Sequence, residues 1–431
     1  MSIMIKKFIK IIFSFILISC TSNSIDLIVL NAKIYTVNSK FDTATSFAVN
    51  DGKFIDIGGN DLPSKYKSKS TLDAKGMYIF PGFIDSHTHV LNSFLYKNKV
   101  NPSIEEKVLA LKEVQSLLFK NGITTISEAG IDFNDIQLID SLQKKNELSL
   151  RIYGMINYSP ENLEYFTEKG PFETEKINVR SFKVFLNYFG PSNTENIKKR
   201  SFGENEIKNI IYSKEEFERI CFRIAKSGFQ MNTDAMNNLS NSELISSYRK
   251  AVNGILDPRW RIENANQINK LDFNSLNSKF IPSFQLENVN NDSINNDKTI
   301  TIEEVDPSNI NKDIIDWTGS LILGSNYPSE YINPLITFSR SLSSKKINLL
   351  HGSNYQIKNS LSRSEALKGI TLWGAYSNFE ELKKGSISIG NFADFVILSK
   401  NIMEIDIELI PSTQIIATVL GGELKYRINI L

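Results

Sequence analysis

The chain has 431 residues, long enough for a barrel of about 250 to 300 residues plus a small accessory domain. A hydrophobic share of 41%, 23% charged residues and 10% aromatics exclude a disordered or fibrous chain. Forty-nine basic residues nearly balance 48 acidic ones, and removing Lys6, Lys7 and Lys10 with a leader gives 46 against 48, which implies no nucleic-acid partner.

Residues 1 to 19 read as an export signal, with a basic start and an apolar run from Ile11 to Ile18 that is too short to span a bilayer. Leu17-Ile18-Ser19-Cys20 follows. The alternative to cleavage before Cys20 is an uncleaved anchor helix; either implies export. With Cys20 acylated, Cys221 is the one remaining cysteine, so no intrachain disulfide is expected.

From Asp26 to Ile57 apolar and polar positions alternate, turning at Asp51-Gly52, which is hairpin chemistry. Phe395 to Leu398 and two runs separated by Gly421-Gly422 repeat the pattern near the end. Residues 20 to 77 and 378 to 431 are therefore assigned to one β-sandwich domain split around residues 78 to 377.

Within that middle segment eight strand-like runs recur, each followed by a helical pattern, as a parallel (β/α)8 barrel requires. They are Tyr78 to Asp85, Thr124 to Glu128, Leu150 to Met155, Ser181 to Leu186, Phe229 to Thr233, Trp260 to Glu263, Phe280 to Phe284 and Leu321 to Gly324. Glu105 to Lys120 carries Val108, Leu111, Val114 and Leu118 on one helical face. Ser192 to Lys208 and Glu287 to Lys312 are polar stretches that read as loops on the catalytic side of a barrel.

Pro81-Gly82-Phe83-Ile84-Asp85-Ser86-His87-Thr88-His89 ends the first run with histidines at i and i+2, a spacing at which two imidazoles share a divalent metal. These are two of the chain's three histidines; His351, in a Gly-Ser-Asn loop, reads as a surface residue. Trp260 and Trp373 read as core.

With Val179 to Lys183, Phe229 to Thr233, Arg259 to Glu263, Leu323 to Ser325, Thr371 to Tyr376 and Gly385 to Phe395, this motif resembles the amidohydrolase superfamily, in particular N-substituted formamide deformylases and YtcJ-type hydrolases. The resemblance implies a distorted TIM barrel and a metal-dependent hydrolase of non-peptide C–N bonds. It also implies a divalent metal, commonly Zn²⁺, at the C-terminal mouth. Cys20 resembles the acylated cysteine of bacterial lipoproteins, implying a chain anchored by lipid in the cell envelope.

Carried over, His87, His89 and Lys183 match the family's metal ligands, Lys183 being a lysine carboxylated in relatives. Asp234 and Asn264 stand where the resemblance places histidines, and Asn326 stands where it places the aspartate base; a pocket histidine is replaced near Asn288. A carboxylate remains a competent ligand, whereas an amide cannot take a proton from water at neutral pH. Lys183 is read either as carboxylated ligand or as free lysine paired with Asp234. The segment that closes the pocket in relatives is expected to be missing after Val90. Two functions follow: a C–N hydrolase, or an inactive scaffold that binds a small molecule or a partner.

Replacing Cys20 with Ser is expected to move the chain from the membrane to the aqueous fraction and to abolish palmitate labelling. A wild-type chain that takes up no label would rule out the anchor.

Overall fold

A computed structural model describes residues 24–97, 99–186, 212–235, 238–265, 268–286, 312–343 and 360–428. The leader, Cys20, Ser192 to Lys208, residues 287–311 and His351 lie outside the described residues. Among the described residues no helix is long and apolar enough to cross a membrane.

Eight parallel strands form a nearly closed barrel: Phe83–Thr88, Ile123–Ile131, Arg151–Asn157, Ile177–Leu186, Gln230–Ala235, Trp260–Glu263, Phe280–Gln285 and Ile322–Gly324. They are called the first to eighth barrel strands below. All eight expected runs are present, and helices such as Ile104–Lys120 and Lys214–Ser227 cover the outside. Each of these two helices starts with a capping box, Ser103 with Glu106 and Ser213 with Glu216, which satisfies otherwise orphaned backbone N–H groups. Leu111, Val114 and Leu118 bury one face of the first helix; Phe217, Ile220, Cys221 and Ile224 do so in the second.

The first expected strand divides in two. Tyr78–Pro81 pairs antiparallel with Phe395–Leu398 in the accessory domain, and Gly82 carries the chain into the barrel strand Phe83–Thr88. A Cβ on Gly82 would meet the Thr124 hydroxyl, so only glycine lets the two strands pass so closely. The accessory domain is a sandwich of a four-stranded and a six-stranded sheet, and the latter unites strands from both chain ends. Val29, Phe47, Phe54, Ile79, Phe395 and Val419 fill its core. Its Asp51-Gly52 turn has positive φ at both residues, as read from the sequence.

Two polar constructions close the end of the barrel away from the site. Residues 376–379 run across the beginnings of several strands: Gln230 donates to the Ser377 carbonyl (2.9 Å), Asn178 to the Asn378 carbonyl (3.1 Å) and Arg259 to the Tyr376 carbonyl (2.7 Å). Arg151 grips Asp394 of the accessory domain through Nε (2.7 Å) and Nη2 (3.1 Å), and Asp394 also accepts from the Gly421 amide. Both partners of the Arg151–Asp394 pair are buried. With its floor sealed, the barrel is entered from the C-terminal ends of its strands.

At that open end the short helix Val90–Leu95 is held by the buried Glu128, whose carboxylate accepts from the Leu91 (3.1 Å) and Asn92 (3.0 Å) amides. Burial outweighs those two bonds and pushes the Glu128 carboxyl up from 4.5 to about 8, with the Asp85 and Asp135 charges adding to the rise.

Arg151→Met strands a buried carboxylate and is expected to cost about 3 to 5 kcal/mol in urea unfolding, part of which the double replacement with Asp394→Leu restores. Glu128 binds its proton more tightly in the folded chain, so its contribution is full below 4.5 and is lost as pH rises towards about 8. Glu128→Gln is therefore expected to flatten the decline of stability over that window in urea titrations; an unchanged decline would refute this role.

Candidate functional site

Parallel strands place their alternate residues inside the barrel, and here those residues are ionisable or polar. On the sixth strand Arg261 and Glu263 both point inward and both are fully buried. Glu263 hydrogen-bonds His87 Nδ1 through one carboxylate oxygen (2.7 Å), and its other oxygen forms an ion pair with Arg261 Nε (2.9 Å) without a directed hydrogen bond. Arg261 also donates to the Ser86 carbonyl, so the chain Arg261–Glu263–His87 ties the sixth strand to the first across the barrel. Burial works to raise the Glu263 carboxyl, but the charges of Arg261, His87 and Lys183 outweigh it and hold Glu263 well below the usual carboxylate range.

Nδ1 of His87 is committed to the carboxylate, which fixes the ring and leaves Nε2 for another partner. His89 lies one residue past the strand, as the N-cap of the helix Val90–Leu95. The two rings meet edge to face with centroids 5.2 Å apart. Burial, and then the positive potential of His87 and Lys183, push the His89 imidazole well below its ordinary value.

Gly324, ending the eighth strand, passes directly beneath His87: a Cβ there would sit 2.5 Å from the His87 backbone nitrogen. The following residues stitch the strand ends together. Asn326 donates its backbone N–H to the His87 carbonyl (3.0 Å), and Ser325 donates to Asp85 Oδ1 (2.9 Å). Asn326 has φ +54, a left-handed conformation that an Asn tolerates better than most residues. It thus stands beside the first strand, where the resemblance places the base, carrying an amide instead of a carboxylate.

Lys183 on the fourth strand and Asp234 on the fifth are paired, Nζ to Oδ2 at 2.8 Å, with Lys183 only 1% exposed. This contact fits the pairing of Lys183 with Asp234 that the sequence offers as one of its two readings. Asn264, with φ +55, turns its Nδ2 to the other Asp234 oxygen (3.1 Å) and its backbone N–H to Gln285 Oε1 (2.7 Å). Asn264 therefore serves as a donor to Asp234.

The five expected ligand residues thus gather at one end of the barrel but fall into two sets, the imidazoles with Glu263 and the Lys183–Asp234–Asn264 group. A divalent ion does not fit them in this state: Asp234 accepts from Asn264 on one oxygen, and the Lys183 ammonium lies 2.8 Å from the other. Among the described residues no three His, Cys, Asp or Glu side chains gather as a metal cluster.

Glu263, Arg261, Asp85 and Gln285 were not singled out by their sequence signal. The available clue was alternation: Arg261 and Glu263 two apart in a strand of an all-parallel barrel can only share the inner face. Hollows also exist elsewhere, such as one of about 400 Å³ beside Ser242, Arg249 and Ser275, but none of these residues belongs to the mouth.

The sequence profile of the amidohydrolase family matches residues 95–426. Protein LONG AFTER FAR-RED 3 of Arabidopsis thaliana is 25% identical over 75% of this chain, which spans 58% of that relative's length. An adenine deaminase of Oenococcus oeni is 41% identical over a shorter stretch, 16% of this chain and 12% of its own. Among solved structures, a metal-dependent hydrolase from Pyrococcus horikoshii superposes with a TM-score of 0.67 at 15% identity, covering 88% of this chain and 99% of its own. An adenosine deaminase from Xanthomonas campestris with bound zinc gives 0.63 at 11% identity over 95% of each chain. The family profile covers most of the chain, and the barrel agrees with it: this protein belongs to the amidohydrolase family.

Proposed function

We propose that the barrel mouth binds a small molecule carrying a non-peptide C–N bond of the amide or formamide type and hydrolyses that bond. The carrying observation is the Arg261–Glu263–His87 chain: three buried ionisable groups held in order at the open end of a barrel whose other end is sealed. A buried carboxylate held well below its usual range among such partners, in such a place, marks a site of chemistry more often than a scaffold. The deaminases among the relatives support the choice of bond.

Turnover on this reading is slow. The amide of Asn326 orients a water but does not accept its proton, so the step that forms the nucleophile lacks its usual base. The same observation, joined to the Lys183–Asp234 pair, favours the second reading, a binding scaffold without hydrolysis. The formamide-deformylase branch, the lipid anchor on Cys20 and an envelope location complete the proposal and rest on the sequence motifs.

A panel of N-substituted formamides, simple amides and aminopurines, screened by thermal shift and by release of amine or ammonia, separates the readings. Saturable binding with slow release, lost in His87→Ala, is expected. Binding without release supports the scaffold, and neither binding nor release across the panel would remove the mouth as a site for this class.

A further inference from the structure

We propose that the Lys183 ammonium is the built-in cation of this mouth, so that the site is assembled without a divalent metal. The inference rests on the mouth being the functional site.

Position is the first ground. Lys183 is buried, its Nζ lies 2.8 Å from Asp234, and its charge reaches both His89 and Glu263. One ammonium therefore sits within the electrostatic reach of the His89 imidazole and of the Asp234 and Glu263 carboxylates. A second cation placed among the same groups meets repulsion from Lys183 in a setting with little water to screen it.

Charge balance is the second ground. The inward cations Lys183 and Arg261 are matched one to one by Asp234 and Glu263. A further carboxyl, Asp85, accepts from the Ser325 and His87 amides. A divalent ion adds charge that these four paired groups do not themselves compensate, in a place where uncompensated charge is costly.

The donor set is the third. Asp234 holds Lys183 on one oxygen and Asn264 on the other, and His87 gives Nδ1 to Glu263. Catalytic zinc sites use three protein ligands, and two imidazoles do not reach that number. The carboxylate at Asp234 and the amide at Asn264 acquire a shared purpose: the first binds the ammonium, and the second holds the carboxylate towards it. Both residues suit a lysine cation better than they suit zinc. The Lys183 Nζ also has no well-directed hydrogen bond, and both polar atoms of the adjacent, fully buried Asn232 lack partners. Open polar valence at this depth is available to a ligand's carbonyl oxygen.

The test is metal retention by the full chain. Wild-type protein is equilibrated with Zn²⁺ or Mn²⁺ in bicarbonate, desalted and analysed by atomic emission. It is expected to keep less than about a tenth of an equivalent, whereas Lys183→Glu, which exchanges the cation for a carboxylate ligand, keeps about one equivalent and loses it when His87 and His89 become Ala. Wild-type protein that keeps about one equivalent through His87 overturns the proposal, as does a folded Lys183→Glu chain that stays metal-free. Should Lys183→Glu fail to fold by circular dichroism, Lys183→Met is expected to raise retention about tenfold over wild type, and equal retention overturns the idea. The ligand screen reads binding and amine release instead, so the failure of one reading is visible apart from the other.

Discussion

Glu263 cannot be buried alone. An ionised carboxylate with no exposure survives in a barrel only if cations and hydrogen-bond donors surround it, and here Arg261 and His87 do so, one on each oxygen. Much at the open end follows from that demand. His87 is fixed at the end of the first strand, Arg261 reaches the Ser86 carbonyl beside it, and Gly324 must stay small because the backbone carrying His87 passes over it. The site is thus assembled by electrostatic necessity across the barrel, between strands far apart in sequence.

The rest of the fold protects this end by closing the other. Residues 376–379 cap the floor through carbonyls that accept from Gln230, Asn178 and Arg259, and the Arg151–Asp394 pair fastens the split sandwich to the start of the third barrel strand. A sandwich made from both chain ends joins the first barrel strand and the returning tail through one six-stranded sheet. The barrel is thereby held shut at its base while its mouth remains the place where loops and polar ends meet.

Membership of the amidohydrolase family and the chemistry of this mouth are separate matters. The family supplies the barrel fold. The side chains at the fifth, sixth and eighth strand ends are an acid and two amides, and the structure puts them to different uses: Asp234 binds Lys183, Asn264 donates to Asp234, and Asn326 braces the His87 backbone. One fold carries many sites, and function is decided by these residues rather than by the barrel.

The sequence by itself determined the number and order of the barrel strands, because runs of β-branched and aromatic residues alternating with helical patterns report local geometry that each segment carries independently. It also determined the split sandwich, the Asp51-Gly52 turn and the buried face of the helix Ile104–Lys120, and it singled out His87, His89, Lys183, Asp234, Asn264 and Asn326. It allowed two states for Lys183 and placed the first strand boundary too early, at Tyr78 instead of Phe83. Only the tertiary structure decided the pairings: that Glu263 takes His87 and that Asn264 donates to Asp234. These are contacts between strands some 30 to 180 residues apart, set by barrel register and by the requirement that buried charges be matched, and no local pattern encodes them.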